Sequence, residues 1–430
     1  MKLTINGIGT VARAEIELNN LTVIAGENDT GKSTVGKVLF SLVQAFSNFP
    51  IAVKKTQQHA MQRDLDQLYF EIRRSVDLYE NPEIRNLFSS LRASALQDLD
   101  LPIAAVVSVA TEIIDSGTSS PASRDRIKKV LNRMLDEYNQ GLNDERAISR
   151  FVHRALKAEF AGEIVNKVTG GAAKVELSDG ATKILEVVLD DKKVLDFKGG
   201  EPLGVRDATL VEGPAILQYY PAISEFNAIG ERAARLRRGA IPYHSVDLAT
   251  KLQIGKQSYD LLNSDKADSL DGFSDIFEGE MYYDRELSSF ILDKGTVKIP
   301  SNNVASGIKA VAVLELLLRG DYIGSDTMLI LDEPETNLHP TWQIKYAKII
   351  CELCKRGAKV LVTTHSPYML EALRGYIDKV DEVSAKFYFS RKDEDGKVLY
   401  MDTFGDISPI IGALAQPLTD LVDELQADDF

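Results

Sequence analysis

The chain has 430 residues, 44% hydrophobic and 27% charged, with a formal net charge of -14 and 2 Cys. A chain of this size buries a large core and divides into two or three lobes; its acid excess argues against non-specific nucleic-acid binding over the whole surface, and two cysteines exclude a disulfide framework. No run of 18 or more apolar residues is present to span a membrane, and the start MKLTINGIG lacks the basic-then-apolar layout of a secretory signal, so a cytoplasmic chain without a membrane partner is expected.

Residues 1–50 alternate and then run apolar through KLTI, ARAEIEL and LTVIAG, which predicts two or three strands. GENDTGKST, residues 26–34, follows as G-x-x-x-x-G-K-S/T and leads into a helix expected over about Lys32–Phe46. Gly26 and Gly31 let the backbone curl until the N–H groups of Glu27, Asn28, Asp29, Thr30 and their neighbours point at phosphate oxygens. Lys32 supplies a point charge for the β- and γ-phosphates, and the Ser33 hydroxyl is a Mg²⁺ ligand. The helix that starts there, through Thr34, turns its positive end to the anion. Strand before and helix after complete the context of a nucleotide-binding loop, so ATP and Mg²⁺ are the expected cofactors.

Residues 51–168 read as helix almost throughout, an insertion broken at ENPE, at Leu101-Pro102 and at DSGTSSPAS. Met61, Leu65, Leu68, Ile72, Val76 and Tyr79 recur at three- and four-residue steps and predict one apolar helix face. A helix of about thirty residues spans only ~45 Å, a short arm or cap. Residues 169–223 return to strand: KVELSDGATKILEVVLDDKKVLDF alternates around Asp-Gly and Asp-Asp turns, predicting antiparallel hairpins, and ATLVE ends at Glu212. Residues 224–300 carry helix expected at Ser224–Arg238 and Asp247–Leu262, then the short strands SFILD and TVKIP. Within them Arg232, Arg235, Arg237 and Arg238 form the densest basic run. Two readings stay open for it: tracking of a DNA or RNA backbone, or a solvated helix face offset by acids.

Residues 301–430 alternate helix and strand. TMLIL and KVLVTT read as buried strands on either side of a helix over Trp342–Arg356, and KFYFS, KVLYMD and a final helix follow. TMLIL runs into Asp332-Glu333, where Asp332 can hold Mg²⁺ and Glu333 can orient or deprotonate an attacking water. Ser306-Gly307 opens an apolar helix ending near Gly320, with Ser306 at the expected N-cap. Cys351 and Cys354 share the Trp342–Arg356 helix with no second Cys/His pair to complete a zinc site, and read as small buried side chains.

Together these stretches resemble ABC-type ATPases, in particular the OLD-like branch of the SMC/RecF relatives. GENDTGKST is similar to that branch's G-x-N-x-x-GKS/T, DEPETNLHP to its DEP-x-x-x-L-D/H-P, TTHSPYML to its His-switch strand end and NVASGIKAVAVLELLL to its signature helix. The resemblance implies an α/β P-loop NTPase fold: an ABC-type head with a mixed sheet and an antiparallel β subdomain, carrying a helical insertion about which the motifs say nothing. It implies that His365 contacts the γ-phosphate, that Ser306, Gly307 and Lys309 meet a partner's nucleotide, and that Asn337 and His339 lie in a loop crossing the dimer interface. Glu212 stands where a metal-sensing glutamine is expected, and Ile308-Lys309 where transporters have Gly-Gln. TLVEGP resembles the opening of a Toprim nuclease, but it precedes the signature and only about sixty residues follow His365, so a built-in nuclease is not expected. The implied function is a slow, head-to-tail dimeric ATPase switch, alone or in a higher assembly, controlling an operon-encoded nuclease or toxin in anti-phage defence of the Septu or PARIS type. A RecF/SMC-like DNA-repair clamp is the alternative; a transporter motor is set aside, because Ser306 lies about 275 residues after Gly31.

Overall fold

The computed structural model describes residues 1–75, 81–86, 88–89, 103–115, 120–139, 145–199, 201–228, 241–253, 277–380, 383–394 and 396–427. The chain forms two compact units, Met1–Ser47 with Ile148–Phe430, and Asn48–Ala147.

The larger unit opens with β1 (Lys2–Ile8), β2 (Val11–Glu17) and β3 (Leu21–Gly26). β1 and β2 alternate buried and open positions, as expected for a sheet with one wet face; β3 is buried throughout. Helix α1 (Lys32–Ser75) begins in this unit and does not stop near Phe46 as its pattern predicts. Apart from Pro50, nothing between Phe46 and Ser75 terminates a helix.

The smaller unit contains the rest of α1 with α2 (Ile103–Asp115) and α3 (Pro121–Asn139). Leu65, Leu68 and Ile72 of the expected apolar face are buried against Val106, Ala110 and Ile127. The Met61 side chain, Val76 and Tyr79 lie outside the described residues. Asp64, wholly buried, is satisfied by Arg133, whose Nε donates to it at 3.0 Å and whose Nη2 donates at 2.5 Å. Such a pair is costly to break from one side, because a buried charge would remain.

Helix α4 (Glu145–Glu159) lies in the larger unit from Ile148 on, so the helical insertion ends well before Val168. The reason is packing: Val152 and Leu156 are fully buried, and Glu159 is tied to His244. Strands β4 (Ala173–Asp179), β5 (Thr182–Leu189) and β6 (Val194–Gly199) then extend β1 into an antiparallel sheet ordered β2-β1-β4-β5-β6. The Asp-Gly turn works because Gly180 takes φ +56°, a left-handed conformation glycine adopts without strain.

The next elements are β7 (Asp207–Val211), α5 (Ile216–Ala228) and α6 (Tyr243–Lys251). α5 starts well before the expected Ser224 despite Pro221 inside it. Leu217, Tyr220 and Ile223 all face the core, and that burial outweighs the lost hydrogen bond. Arg232, Arg235, Arg237, Arg238 and the stretch beyond Gln253 of the second expected helix lie outside the described residues. β8 (Glu280–Asp284), β9 (Ser289–Asp293) and β10 (Lys298–Pro300) form a small antiparallel sheet.

The rest runs α7 (Ser306–Arg319), β11 (Thr327–Asp332), α8 (Pro340–Lys355), β12 (Lys359–Thr364), α9 (Pro367–Ile377), β13 (Ala385–Lys392), β14 (Val398–Asp402) and α10 (Ser408–Ala427). Among the described residues one sheet is ordered β14-β13-β3-β12-β11-β7, with β13, β3, β12, β11 and β7 parallel and β14 antiparallel at the edge. Helices α5, α7, α8 and α9 bury their apolar faces in the core that includes one side of it. Registers Thr364↔Ala25 and Asp332↔Thr363 bring the C-terminal ends of β3, β12 and β11 to one edge. In open parallel sheets that edge is where ligands bind. Cys351 and Cys354 are buried and unbridged, their thiols pushed up by burial, as expected of inert core residues. Among the described residues no helix is long and apolar enough to cross a membrane.

Candidate functional site

The loop from Gly26 to Gly31 leaves the end of β3 with Glu27, Asn28 and Asp29 exposed and Thr30 buried. Its glycines are dictated by space as well as by dihedral. A Cβ on Gly26 would lie 2.0 Å from the Ser390 carbonyl oxygen, and one on Gly31, at φ +71°, would lie 2.8 Å from the Thr10 hydroxyl. Asp29 takes φ +61° and is held by an ion pair with Lys392. The Thr30 hydroxyl donates to Glu27 O at 2.7 Å and meets the Ser390 hydroxyl at 2.9 Å, while Tyr400 donates to Thr30 O at 3.0 Å. Strands β13 and β14 therefore buttress the loop from behind. Ser390, Lys392 and Tyr400 were not singled out in the sequence; they sit some 360 positions away, with no local signal beyond strand pattern.

Lys32 is buried and folds back over the loop, donating to Gly26 O at 3.0 Å and Glu27 O at 2.7 Å. Burial lowers its pKa, against the pull of Glu333, Glu335 and Asp332. Asp332, at the end of β11, receives the hydroxyls of Thr363 and Ser33; burial nonetheless raises its pKa. The Ser33 hydroxyl and the Asp332 carboxylate offer hard oxygen donors side by side, a set that fits Mg²⁺, which takes few protein oxygens and keeps several waters.

Glu333 follows directly, at φ +47°, strained for a residue with a side chain. Its N–H donates to Thr363 O and to the Thr363 hydroxyl, both at 3.1 Å, which pins the strained turn. Its carboxylate lies 3.8 Å from Lys32 Nζ and 3.4 Å from His365 Nδ1. His365 holds the Glu333 pKa down, and Glu333 holds the His365 pKa up. Glu335, two residues further along the same motif, is buried; it accepts from Thr364 Oγ1 and the His365 N–H, both at 2.7 Å, and so fixes the turn that presents His365. β12 lies between β3 and β11. Its end therefore sets His365 beside the acids of β11 and Lys32 of the loop.

Ser306 is the first residue of α7, not its N-cap: Ala305 occupies that position and makes no side-chain cap. The Ser306 hydroxyl instead donates to Asn337 O at 2.9 Å, which turns it away from its own helix end. Gly307 leaves room for Trp342, whose ring would stand 2.6 Å from a Cβ. Lys309 is largely covered and desolvation lowers its pKa. Asn337 takes φ +63°, and His339 Nδ1 caps α8 by accepting from the Thr341 N–H at 3.3 Å. None of the described contacts of Ser306, Gly307 and Lys309 is with the phosphate loop.

Glu212, just after β7, is an acid where a glutamine was expected. It pairs with Lys37 Nζ at 2.8 Å and His244 Nε2 at 3.1 Å, and His244 Nδ1 meets the buried Glu159. Burial opposes both charges; the His244 and Lys37 contacts still hold Glu212 down at about 2, and the Glu159 and Glu212 carboxylates hold His244 up at about 9. A histidine raised from its ordinary 6.5 stabilises the fold fully below that pH, and the contribution is lost as pH rises through 9. Asp247, pushed up to about 6 mainly by burial, has largely titrated below this window. Wild-type protein is expected to lose on the order of 2 to 3 kcal/mol between pH 6.5 and 9. Urea melts across that range check it: His244→Gln removes most of the slope, leaving the smaller share of the half-exposed His365, whose pKa Glu333 also raises, and an unchanged slope would mean His244 is not the group responsible.

Residues 112–371 match the family described as "AAA domain, putative AbiEii toxin, Type IV TA system". No curated protein matches the chain. Among solved structures, the SMC head domain from Thermotoga maritima is 12% identical, covering 94% of this chain and 98% of its own, at a TM-score of 0.37. An SMC head bound to the C-terminal winged-helix domain of ScpA is 11% identical, covering 94% and 97%, at 0.37. The ADP conformation of an ATP-binding cassette of an ABC transporter is 12% identical, covering 97% and 96%, at 0.32.

Proposed function

We propose that this chain, which belongs to the AAA-domain family matched by residues 112–371 and carries an ATPase head of the ABC and SMC type, is a slow ATP-hydrolysing switch. Two copies close head-to-tail around ATP, alone or within a higher assembly, and closure controls a separate nuclease or toxin in bacterial anti-phage defence, in the cytoplasm. The observation that supports it is the split site. Lys32, Ser33, Asp332, Glu333 and His365 converge at one sheet edge, while the tip of α7 is joined instead to the Asn337 loop. An uncapped helix start carries unsatisfied N–H groups and a positive dipole, suited to a phosphate that another copy brings.

In this reading the loop N–H groups and Lys32 bind the β- and γ-phosphates, and Lys32 exchanges its two carbonyl partners for phosphate oxygens. Ser33 and Asp332 would hold Mg²⁺, which when bound neutralises developing phosphate charge. Glu333 orients the attacking water and accepts its proton, kept ionised by His365. His365 in turn is free to donate toward the γ-phosphate. Closure is a population shift, since γ-phosphate contacts across the pair exist only in the closed state.

Ser306→Arg tests the split site. It is expected to leave equilibrium ATP binding unchanged and to abolish ATP-dependent pairing in sedimentation; normal pairing would refute the arrangement. Co-expression with the product of the adjacent reading frame tests the switch: a stoichiometric partner whose toxicity depends on Glu333 supports it. ATP-stimulated duplex binding without such a partner would move the assignment to a RecF/SMC-like DNA-repair clamp; the arginine run that could track nucleic acid lies outside the described residues.

A further inference from the structure

Helix α10 is anchored by its first two turns and then projects from the core. Ile410 is fully buried, and Ile407, Ile411, Ala413 and Leu414 pack against the core beside it. Pro417 follows inside the helix, where it removes a backbone donor. The next two turns carry Leu418, Leu421, Val422 and Leu425, exposed by 67%, 48%, 42% and 59%. Steps of three, four and seven residues place all four within an arc of about 100°. Single exposed apolar residues are ordinary; four on one stripe mark a surface that something covers.

The charge around the stripe narrows what that is. After Lys397 the sequence carries Asp402, Asp406, Asp420, Asp423, Glu424, Asp428 and Asp429 and no Lys or Arg. Glu424 borders the stripe and Asp420 lies on the opposite side of the helix, its carboxylate accepting from Gln416 at 2.6 Å. A second copy of the same helix would bring the two Glu424 carboxylates that border the stripes together with no Lys or Arg on either helix to answer them, and like charges across paired helices are destabilising. An anionic lipid surface is repelled for the same reason. A helix whose own apolar stripe is flanked by Lys or Arg meets both features, apolar area for affinity and opposite charge for selection. We propose that the Leu418–Leu421–Val422–Leu425 stripe of α10 docks a basic amphipathic helix of a partner protein. The inference does not rest on the switch reading, because the stripe is present whatever the head does with nucleotide.

The test uses the full chain without nucleotide and two fluorescent three-heptad helical peptides with leucine at a and d, one with lysine and one with glutamate at e and g. The lysine peptide is expected to bind roughly tenfold or more tightly than the glutamate peptide, with the gap closing at high salt. Leu418→Ser/Leu421→Ser, which leaves charge unchanged, is expected to weaken it by a similar factor while ATP binding stays at the wild-type level. Equal affinity for the two peptides, or full binding by the double variant, overturns the proposal. So does a nucleotide-free wild-type dimer that the double variant dissolves, which assigns the stripe to a second copy. Vesicle co-flotation lost in the double variant overturns it as well, in favour of a membrane surface.

Discussion

Glu333→Gln is expected to lower steady-state ATP turnover on the order of a hundred- to ten-thousand-fold, the range for removing a positioned general base. Nucleotide affinity should hold, because in the proposed reading the loop and Lys32, not Glu333, hold the phosphates, and the amide keeps the shape of the carboxylate. The geometry makes the substitution specific. Glu333 is pinned at φ +47° by two hydrogen bonds from its backbone to Thr363, neither involving its side chain. The turn therefore survives the change, and only the charge beside His365 and Lys32 is lost. ATP-loaded pairs should accumulate and be visible by sedimentation with ATP. Turnover at the wild-type rate would show that Glu333 is not the base.

Lys32→Ala acts one step earlier, and ATP binding is expected to weaken by roughly a hundredfold or more, the scale of losing charge-assisted hydrogen bonds worth about 3 kcal/mol. The loss reaches beyond one charge. The buried ammonium ties Gly26 O to Glu27 O, so its removal also loosens the loop. The fold should persist, since Thr30 remains held by Ser390 and Tyr400. Isothermal titration with ATP, alongside an unchanged circular dichroism spectrum, is the measurement; wild-type affinity would remove Lys32 from the phosphate site.

Much of this site could be read locally because its chemistry is packed into short motifs. The loop 26–34, the Asp332-Glu333 strand end and the His365 turn each combine a buried strand with polar residues at its tip, and a strand end at a sheet edge leaves those residues few directions to face. Elements failed where burial competed with local signals: α5 runs through Pro221, α1 passes Phe46, and α4 joins the larger unit because its apolar residues are buried there. Ser306 kept its place at the helix start but not its role, since a cap is decided by the backbone of one residue and by what the hydroxyl finds nearby.

By itself the sequence determined that a phosphate loop, two acids and a histidine would stand at strand ends, because each is set by contiguous residues and the periodicity of its own strand. Only the tertiary structure decided that β12 lies between β3 and β11 and so unites them, and that Ser390, Lys392 and Tyr400 brace the loop. It also decided that His244 lies between Glu159 and Glu212, whose carboxylates hold its pKa up. These depend on which distant strands and helices share a core, and that choice is made by the summed burial of many apolar side chains, which no short stretch of chain records.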